Sequence, residues 1–278
     1  MIIVKSSSAL KRSLLKDSTR SVGFVPTMGA LHQGHIALLE QAGRESELVV
    51  CSIFVNPTQF NNPADFAKYP ITLEKDILML ERAGVHVLFL PAVTELYPDG
   101  TENLEHYDLG YLETVMEGAF RPGHFQGVCQ VMSRLIKLVE PDKLFMGQKD
   151  YQQCMVVKRL LEIMQSNVEF VTCSTVREVD GLAMSSRNMR LNPDERKKAT
   201  AIFHALTYIR NNVGRTGILA LKTEAGKILT DSGFKPDYIE IADGNNLHLL
   251  NHIKESEKPV ALIAAFMNEV RLIDNMIL

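Results

Sequence analysis

The chain of 278 residues has four cysteines, Cys51, Cys129, Cys154 and Cys173, dispersed with no C-x-x-C spacing. That excludes a disulfide framework and a cysteine-held metal, and leaves reduced, mostly buried thiols. It has no apolar run near the roughly 18 residues that span a bilayer, which excludes a membrane protein of the helical kind. Lys5, Lys11, Arg12 and Lys16 interrupt the first segment, so it lacks the continuous apolar core of a secretory signal and reads as a short amphipathic helix. A cytoplasmic location is the expectation. Charge of one sign is also missing: 30 Lys and Arg stand against 33 Asp and Glu, net −3. Neither nucleic acid nor an anionic membrane is expected as a partner. The glycine fingerprint of a dinucleotide fold is absent, which argues against NAD, and there is no internal repeat or low-complexity stretch. What remains, 46% hydrophobic and 23% charged residues, is a globular composition large enough for one large or two modest domains.

The most informative segment runs from Val22 to His35. The bounded, apolar run over 22–25 reads as a buried strand. Ile36, Leu38, Leu39 and Ala42 then recur at helical spacing. His32, Gly34 and His35 therefore fall where a strand gives way to a helix. In an α/β sheet that is where free backbone N–H groups and the positive end of a helix dipole meet an anion. Gly34, without a Cβ, opens the backbone to close approach, and two imidazoles one turn apart offer donors to one phosphate. Taken alone, the pattern also fits an ordinary polar helix start. Zinc is a weaker alternative, because no third His or Cys stands close by to complete a ligand set.

Strands and helices alternate over the first 175 residues. Strands are expected over 22–25, 48–55, 85–90, 144–146 and 168–172, with helices over 73–82, 128–138 and 151–164. Such alternation implies right-handed crossovers and a parallel sheet covered on both faces. Beyond residue 175 the character changes. Residues 177–182 form a hairpin-like segment with an Asp-Gly turn. Asn192, Pro193 and Glu195 open a helix with the stripe Ala199, Ile202, Phe203, Leu206 and Ile209. A second helix carries Ile218, Leu221, Ala225 and Ile228, and strands follow over 238–242, 260–266 and 270–273. The expected fold class is α/β: a Rossmann-like parallel-sheet nucleotidyltransferase domain over 1–175, and a smaller C-terminal α+β capping domain over 176–278.

Four separated blocks carry a family resemblance. They are Pro26-Thr27-Met28-Gly29-Ala30-Leu31-His32-Gln33-Gly34-His35, Phe54-Val55-Asn56-Pro57-Thr58-Gln59-Phe60, Gly147-Gln148-Lys149-Asp150-Tyr151-Gln152-Gln153 and Met184-Ser185-Ser186-Arg187-Asn188. In this order, and essentially end to end, the chain resembles the pantothenate synthetases (pantoate–β-alanine ligases). The resemblance implies two steps. Pantoate carboxylate attacks the α-phosphorus of Mg-ATP to give pantoyl adenylate and diphosphate; the amine of β-alanine then displaces AMP to give pantothenate. It also implies roles: His35, His32 and Lys149 at the reacting phosphate, and Gln59, Gln153 and Asn56 at pantoate and β-alanine. ATP falls to Met28, Gly29, Ala30, Leu31, His32, Gln33, Gly34, His35, Gly147, Gln148, Lys149, Asp150, Val176, Met184, Ser185, Ser186 and Arg187. Asp76 matches the family's acidic position for Mg2+, although Glu74 and Lys75 beside it depart from the family's more acidic run. A homodimer is implied as well.

The residues fit this chemistry. Charge develops on the α-phosphate oxygens, so fixed donors there stabilise the transition state. Neutral glutamines can hold a hydroxy acid without neutralising its attacking carboxylate. Two alternatives stay open at this point: another nucleotidyltransferase of the same motif, and a non-catalytic nucleotide-binding module. An acyl adenylate must be kept from water, which requires closing elements. The segments over 61–69 and 184–188 are the expected ones.

Overall fold

The computed structural model describes residues 1–15, 20–61 and 66–278. Lys16 and most of the front half of the 61–69 segment lie outside them. Six parallel strands form the larger sheet: β1 (Ile2–Val4), β2 (Val22–Thr27), β3 (Leu48–Ile53), β4 (Val87–Phe89), β5 (Lys143–Gly147) and β6 (Glu169–Cys173), in the order β1-β4-β3-β2-β5-β6. Alternation of side chains sorts the core into two layers. Phe24, Val50, Val87, Phe89, Leu144 and Met146 face the helices Ser7–Leu15, His124–Val139 and Tyr151–Ile163. Val25, Val49, Cys51, Leu88, Phe145 and Cys173 face the helices Gln33–Glu45 and Leu73–Arg82. Both faces are covered, which is why β3 reads as a nearly continuous apolar run, with Ser52 as its one polar residue.

The chain steps from β2 outward to β3 and β4, then returns to lay β5 on the other side of β2. The carboxyl ends of β2 and β5 therefore flank a topological switch point, where open α/β sheets leave a crevice for ligands. The segments that leave these strands at Met28 and Gln148, within the first and third blocks, both start there.

A second sheet of three antiparallel strands, β7 (Phe234–Asp243), β8 (Pro259–Met267) and β9 (Val270–Ile277), closes the chain. Ala261, Ile263 and Ala265 of β8 pack on the helices Ala201–Asn212 and Ile218–Asp231. The alternate residues Val260, Leu262 and Ala264 pack toward Met116 and Tyr151 of the first part of the chain. The small sheet is thereby sandwiched between its own helices and the wall of the crevice.

Three sequence expectations change. A short edge strand, β1, precedes the strand taken as first. The helix expected to run on from Pro193 divides into Pro193–Lys198 and Ala201–Asn212, because the Ile202 N–H reaches back only three residues to the Ala199 carbonyl. The last strand continues past residue 273 to Ile277, carrying the buried polar residues Asp274 and Asn275 inward.

Candidate functional site

One cavity of about 840 Å³ opens at the switch point, and its lining includes His32, Gly34, His35, Gln59, Lys149, Gln153, Met184 and Arg187. Its size is that of a site for a nucleotide-sized ligand together with a small substrate. Residues quoted from blocks as far apart as Met28 and Arg187 meet there.

His32 caps the helix Gln33–Glu45, and its Nδ1 accepts the Gly34 N–H at 3.2 Å. His35, in the first turn, returns the favour: its Nδ1 accepts the His32 N–H at 3.3 Å. The pair thus uses imidazoles as a capping box, where a hydroxyl and a carboxylate are usual. A Cβ at position 34 would lie 2.9 Å from the His32 ring. Glycine is needed first so that this ring can fold over the helix start, and only secondarily for approach of a ligand. With both Nδ1 atoms accepting, each neutral ring carries its proton on Nε2. Burial, reinforced by the positive charge of Lys149, lowers the pKa of His32 to about 4. Burial, then His32 and Lys149, lowers His35 to about 3. In the free protein at neutral pH both rings are neutral single donors.

Lys149 follows β5 and is largely covered, with Nζ 3.6 Å from Asp150 Oδ1. Asp150 and Gly147 also line the cavity, whereas Gln148 does not; its amide turns to Asn275. Gly29, Ala30, Leu31 and Gln33 likewise stand outside the lining. The first three are buried in the turn and Gln33 is exposed.

Gln59 lines the cavity, and its Oε1 accepts from Asn56 Nδ2 at 3.2 Å. Asn56 itself is spent on the fold. Its Nδ2 also donates to Gly127 O at 3.0 Å, and its Oδ1 accepts from the Tyr97 hydroxyl at 2.9 Å. Asn56 also lines the cavity, with much of its amide engaged by Gln59, Gly127 and Tyr97. The helix His124–Val139 comes so close that a Cβ on Gly127 would sit 2.3 Å from the Thr58 carbonyl. Gln153 also lines the cavity, from the first turn of the helix Tyr151–Ile163.

Val176 and Met184 line the cavity on a small hairpin, and the Met184 N–H donates to the Val176 carbonyl at 3.0 Å. One lone pair of that carbonyl and the Met184 N–H are therefore used within the hairpin. Ser185 caps the turn Ser186–Arg190 by accepting the Arg187 N–H, and Ser186 lies 3.4 Å from the Tyr69 hydroxyl. Both serine oxygens hold the loop as well as facing the cavity.

Asp76 departs from expectation. It is 1% exposed and outside the lining, and its Oδ1 accepts the Leu31 N–H and the Thr72 hydroxyl, each at 2.9 Å. A carboxylate so engaged clasps the turn before His32 and does not fit a magnesium ligand, which needs oxygens open to water and phosphate. Among the described residues no three His, Cys, Asp or Glu side chains are grouped to hold a metal ion.

Sequence reading missed the far wall. Glu117, buried, receives both Arg271 Nη groups at 2.9 and 2.7 Å and the Tyr238 hydroxyl at 2.9 Å. Arg121 reaches Glu117 and, at 3.1 Å, His124 Nε2; His124 Nδ1 then donates to Gln59 O at 2.8 Å. All five side chains line the cavity. The Arg121-Pro122-Gly123-His124 string was the available signal, since it opens the helix that periodicity placed only from residue 128.

The family profile described as pantoate-beta-alanine ligase matches residues 2–277. The chain belongs to this family. A pantothenate synthetase from Azobacteroides pseudotrichonymphae is 44% identical over 280 residues, covering 99% of both sequences. The crystal structure of the pantothenate synthetase from Thermus thermophilus superposes with a TM-score of 0.93 at 42% identity, covering 99% of each chain. The Francisella tularensis pantoate-beta-alanine ligase, solved in complex with beta-gamma ATP and beta-alanine, gives 0.83 at 35%, covering 100% of this chain and 97% of that one.

Proposed function

We infer that this chain condenses pantoate with β-alanine at the expense of ATP, through a pantoyl-adenylate intermediate. The observation that carries the reading is the meeting of the His32–His35 pair, Lys149, the two glutamines and the Ser-Ser-Arg loop around one cavity at the switch point of a family member.

In the first step a pantoate carboxylate oxygen bonds to the α-phosphorus, and the bond from that phosphorus to the bridging oxygen breaks. Diphosphate leaves with the electron pair. Negative charge builds on the α-phosphate oxygens, where the Nε2–H groups of His32 and His35 and the Lys149 ammonium act as fixed donors. Both imidazoles are neutral in the free protein, so each presents an Nε2–H donor to the incoming phosphate. Gln59 and Gln153 hold pantoate through its hydroxyls and leave its carboxylate charged. In the second step the neutral amine of β-alanine attacks the acyl carbon and loses a proton as the bond to AMP breaks. Arg187, Ser185 and Ser186 serve the outer phosphates, and Val176 and Met184 the base.

Magnesium is assigned to the nucleotide and its waters, with no protein carboxylate named for it. We also place a boundary between residues 175 and 176, a cytoplasmic location and a homodimer within this proposal. No helix is long and apolar enough to cross a membrane among the described residues. The deciding assay supplies Mg-ATP, pantoate and β-alanine and follows pantothenate, AMP and diphosphate. Equal amounts of all three are expected. ADP, or AMP without pantothenate, would overturn the reading.

A further inference from the structure

Two loops of the site hang from one dipeptide of the small sheet. Asn275 is 2% exposed, and its Nδ2 donates to the carbonyls of Gln148 at 2.9 Å and Lys149 at 2.8 Å. Its Oδ1 accepts from Gln148 Nε2 at 3.3 Å. Both amide hydrogens and the oxygen are thereby engaged, so the orientation of the side chain is settled by its partners. The preceding Asp274 takes both Nη groups of Arg177 at 2.6 and 3.0 Å and accepts the Asn275 N–H at 2.7 Å. Arg177 also donates to the Asn275 carbonyl and to Gly181 O, across the hairpin that carries Val176 and Met184. The loop bearing Lys149 and the hairpin are thus set against each other by Asp274 and Asn275, which belong to neither.

The carbonyls of Gln148 and Lys149, in the short turn Gln148–Asp150 that leads into the helix Tyr151–Ile163, both accept from Asn275. Lys149 has a long, flexible stem, so the position of its ammonium depends on how firmly its backbone is held. We propose that Asn275 is a positioning residue for Lys149, fixing the lysine loop from the C-terminal sheet so that the ammonium meets the reacting phosphate. The proposal rests on the reading of Lys149 as a phosphate donor. Misplacing such a group by about an ångström is enough to slow a reaction on the order of 100-fold.

The test measures single-turnover pantoyl-adenylate formation at saturating ATP and pantoate, and pantoate affinity by calorimetry. Asn275→Ala and Asn275→Asp are made alone and on Lys149→Ala; the aspartate keeps the size and one acceptor but loses both donors. Each single Asn275 variant is expected to slow adenylation by about 10- to 100-fold while pantoate affinity holds. On Lys149→Ala, neither should slow it further. An unchanged rate, a loss that multiplies on Lys149→Ala, or an equal fall in pantoate affinity overturns the proposal. So does failure of both variants to fold, which would make Asn275 a clamp of the fold alone. If Lys149→Ala itself adenylates normally, the reading of Lys149 fails separately.

Discussion

The His35 ring accepts the backbone N–H of His32 while its centroid lies 4.1 Å from the His32 ring. One contact therefore caps a helix and fixes which nitrogen of His35 faces the cavity. Function and stability are tied at this residue and can be separated by substitution. His35→Ala loses the cap, worth about 1 kcal/mol, together with a transition-state donor worth on the order of 10²–10³ in rate. His35→Asn retains an acceptor for the cap. Both should adenylate slowly, with the alanine variant alone losing stability in urea unfolding. Near-normal turnover by His35→Ala would falsify the assigned role.

Three buried or half-buried imidazoles make the fold acid-sensitive. In the unfolded chain they bind protons near pH 6.5. In the fold, burial with neighbouring positive charge lowers His32, His35 and His124 to about 4, 3 and 4. Between those values the unfolded chain binds more protons, so stability is full above about pH 6.5 and declines as pH falls toward 4. The loss is on the order of 1–3 kcal/mol per histidine. Urea midpoints at pH 7, 6 and 5 should fall steadily, and His35→Asn should flatten the slope. A midpoint that does not move over that range is incompatible with neutral rings in the fold.

The parallel α/β alternation and the strand-to-helix turn at His32 were legible because local signals agreed with the global fold. Val22 to His35 contains a buried strand, a cap and two cavity-lining imidazoles within one short stretch. What was not legible depends on contacts far apart in sequence. Glu117 and Arg271 are separated by 154 positions, and each alone reads as a solvated charge. Asn275 sits in a strand whose apolar pattern is interrupted after Ile273 by Asp274 and Asn275, so periodicity ended the strand there. Asp76 shows the reverse: a family position suggested a metal, but the carboxylate is turned inward to the Leu31 N–H.

The Glu117–Arg271 pair predicts a large stability effect. Burial alone pushes the Glu117 carboxyl up, but the hydrogen bonds and charge of Arg271, with Arg121 behind them, hold it down to about 2. Removing Arg271 leaves a buried carboxylate short of its main partner, at about 3–5 kcal/mol. Arg271→Met should unfold at much lower urea than the parent, and adding Glu117→Leu should restore most of the loss. If the double variant is no better than the single one, the pair is not the source.

Gln153 and Asn56 should affect substrate binding in different ways. Gln153→Ala is expected to weaken pantoate binding on the order of 10-fold, as for one lost hydrogen bond, and to leave ATP affinity in the binary complex unchanged. Asn56→Ala should weaken pantoate too, through release of Gln59, but with a fall in thermal stability that Gln153→Ala lacks. Calorimetry with each ligand beside thermal unfolding distinguishes them. Equal loss of ATP affinity on Gln153→Ala would move that residue to the nucleotide side.

Closure is the last expectation. The Tyr69 hydroxyl donates to Gly29 O at 3.1 Å and lies 3.4 Å from Ser186 Oγ, so it spans the first motif and the Ser-Ser-Arg loop. Beside it, Lys68 pairs with Glu269 of the small sheet at 2.9 Å, both well exposed. An exposed pair is worth under about 1 kcal/mol, so this side of the mouth can open at little cost, and Tyr69 is the stronger tie. Bound ATP and pantoate would add contacts on both sides of the tie and exclude water from the adenylate. Amide exchange over 66–69 and 184–188 is therefore expected to slow with both ligands bound, while β2 and the helix Gln33–Glu45 change little. Tyr69→Phe, which keeps the ring and loses the hydroxyl, should reduce that protection and raise the KM for ATP more than it lowers kcat. Exchange in both segments that is the same with and without ligands would instead mean a preformed, static cleft.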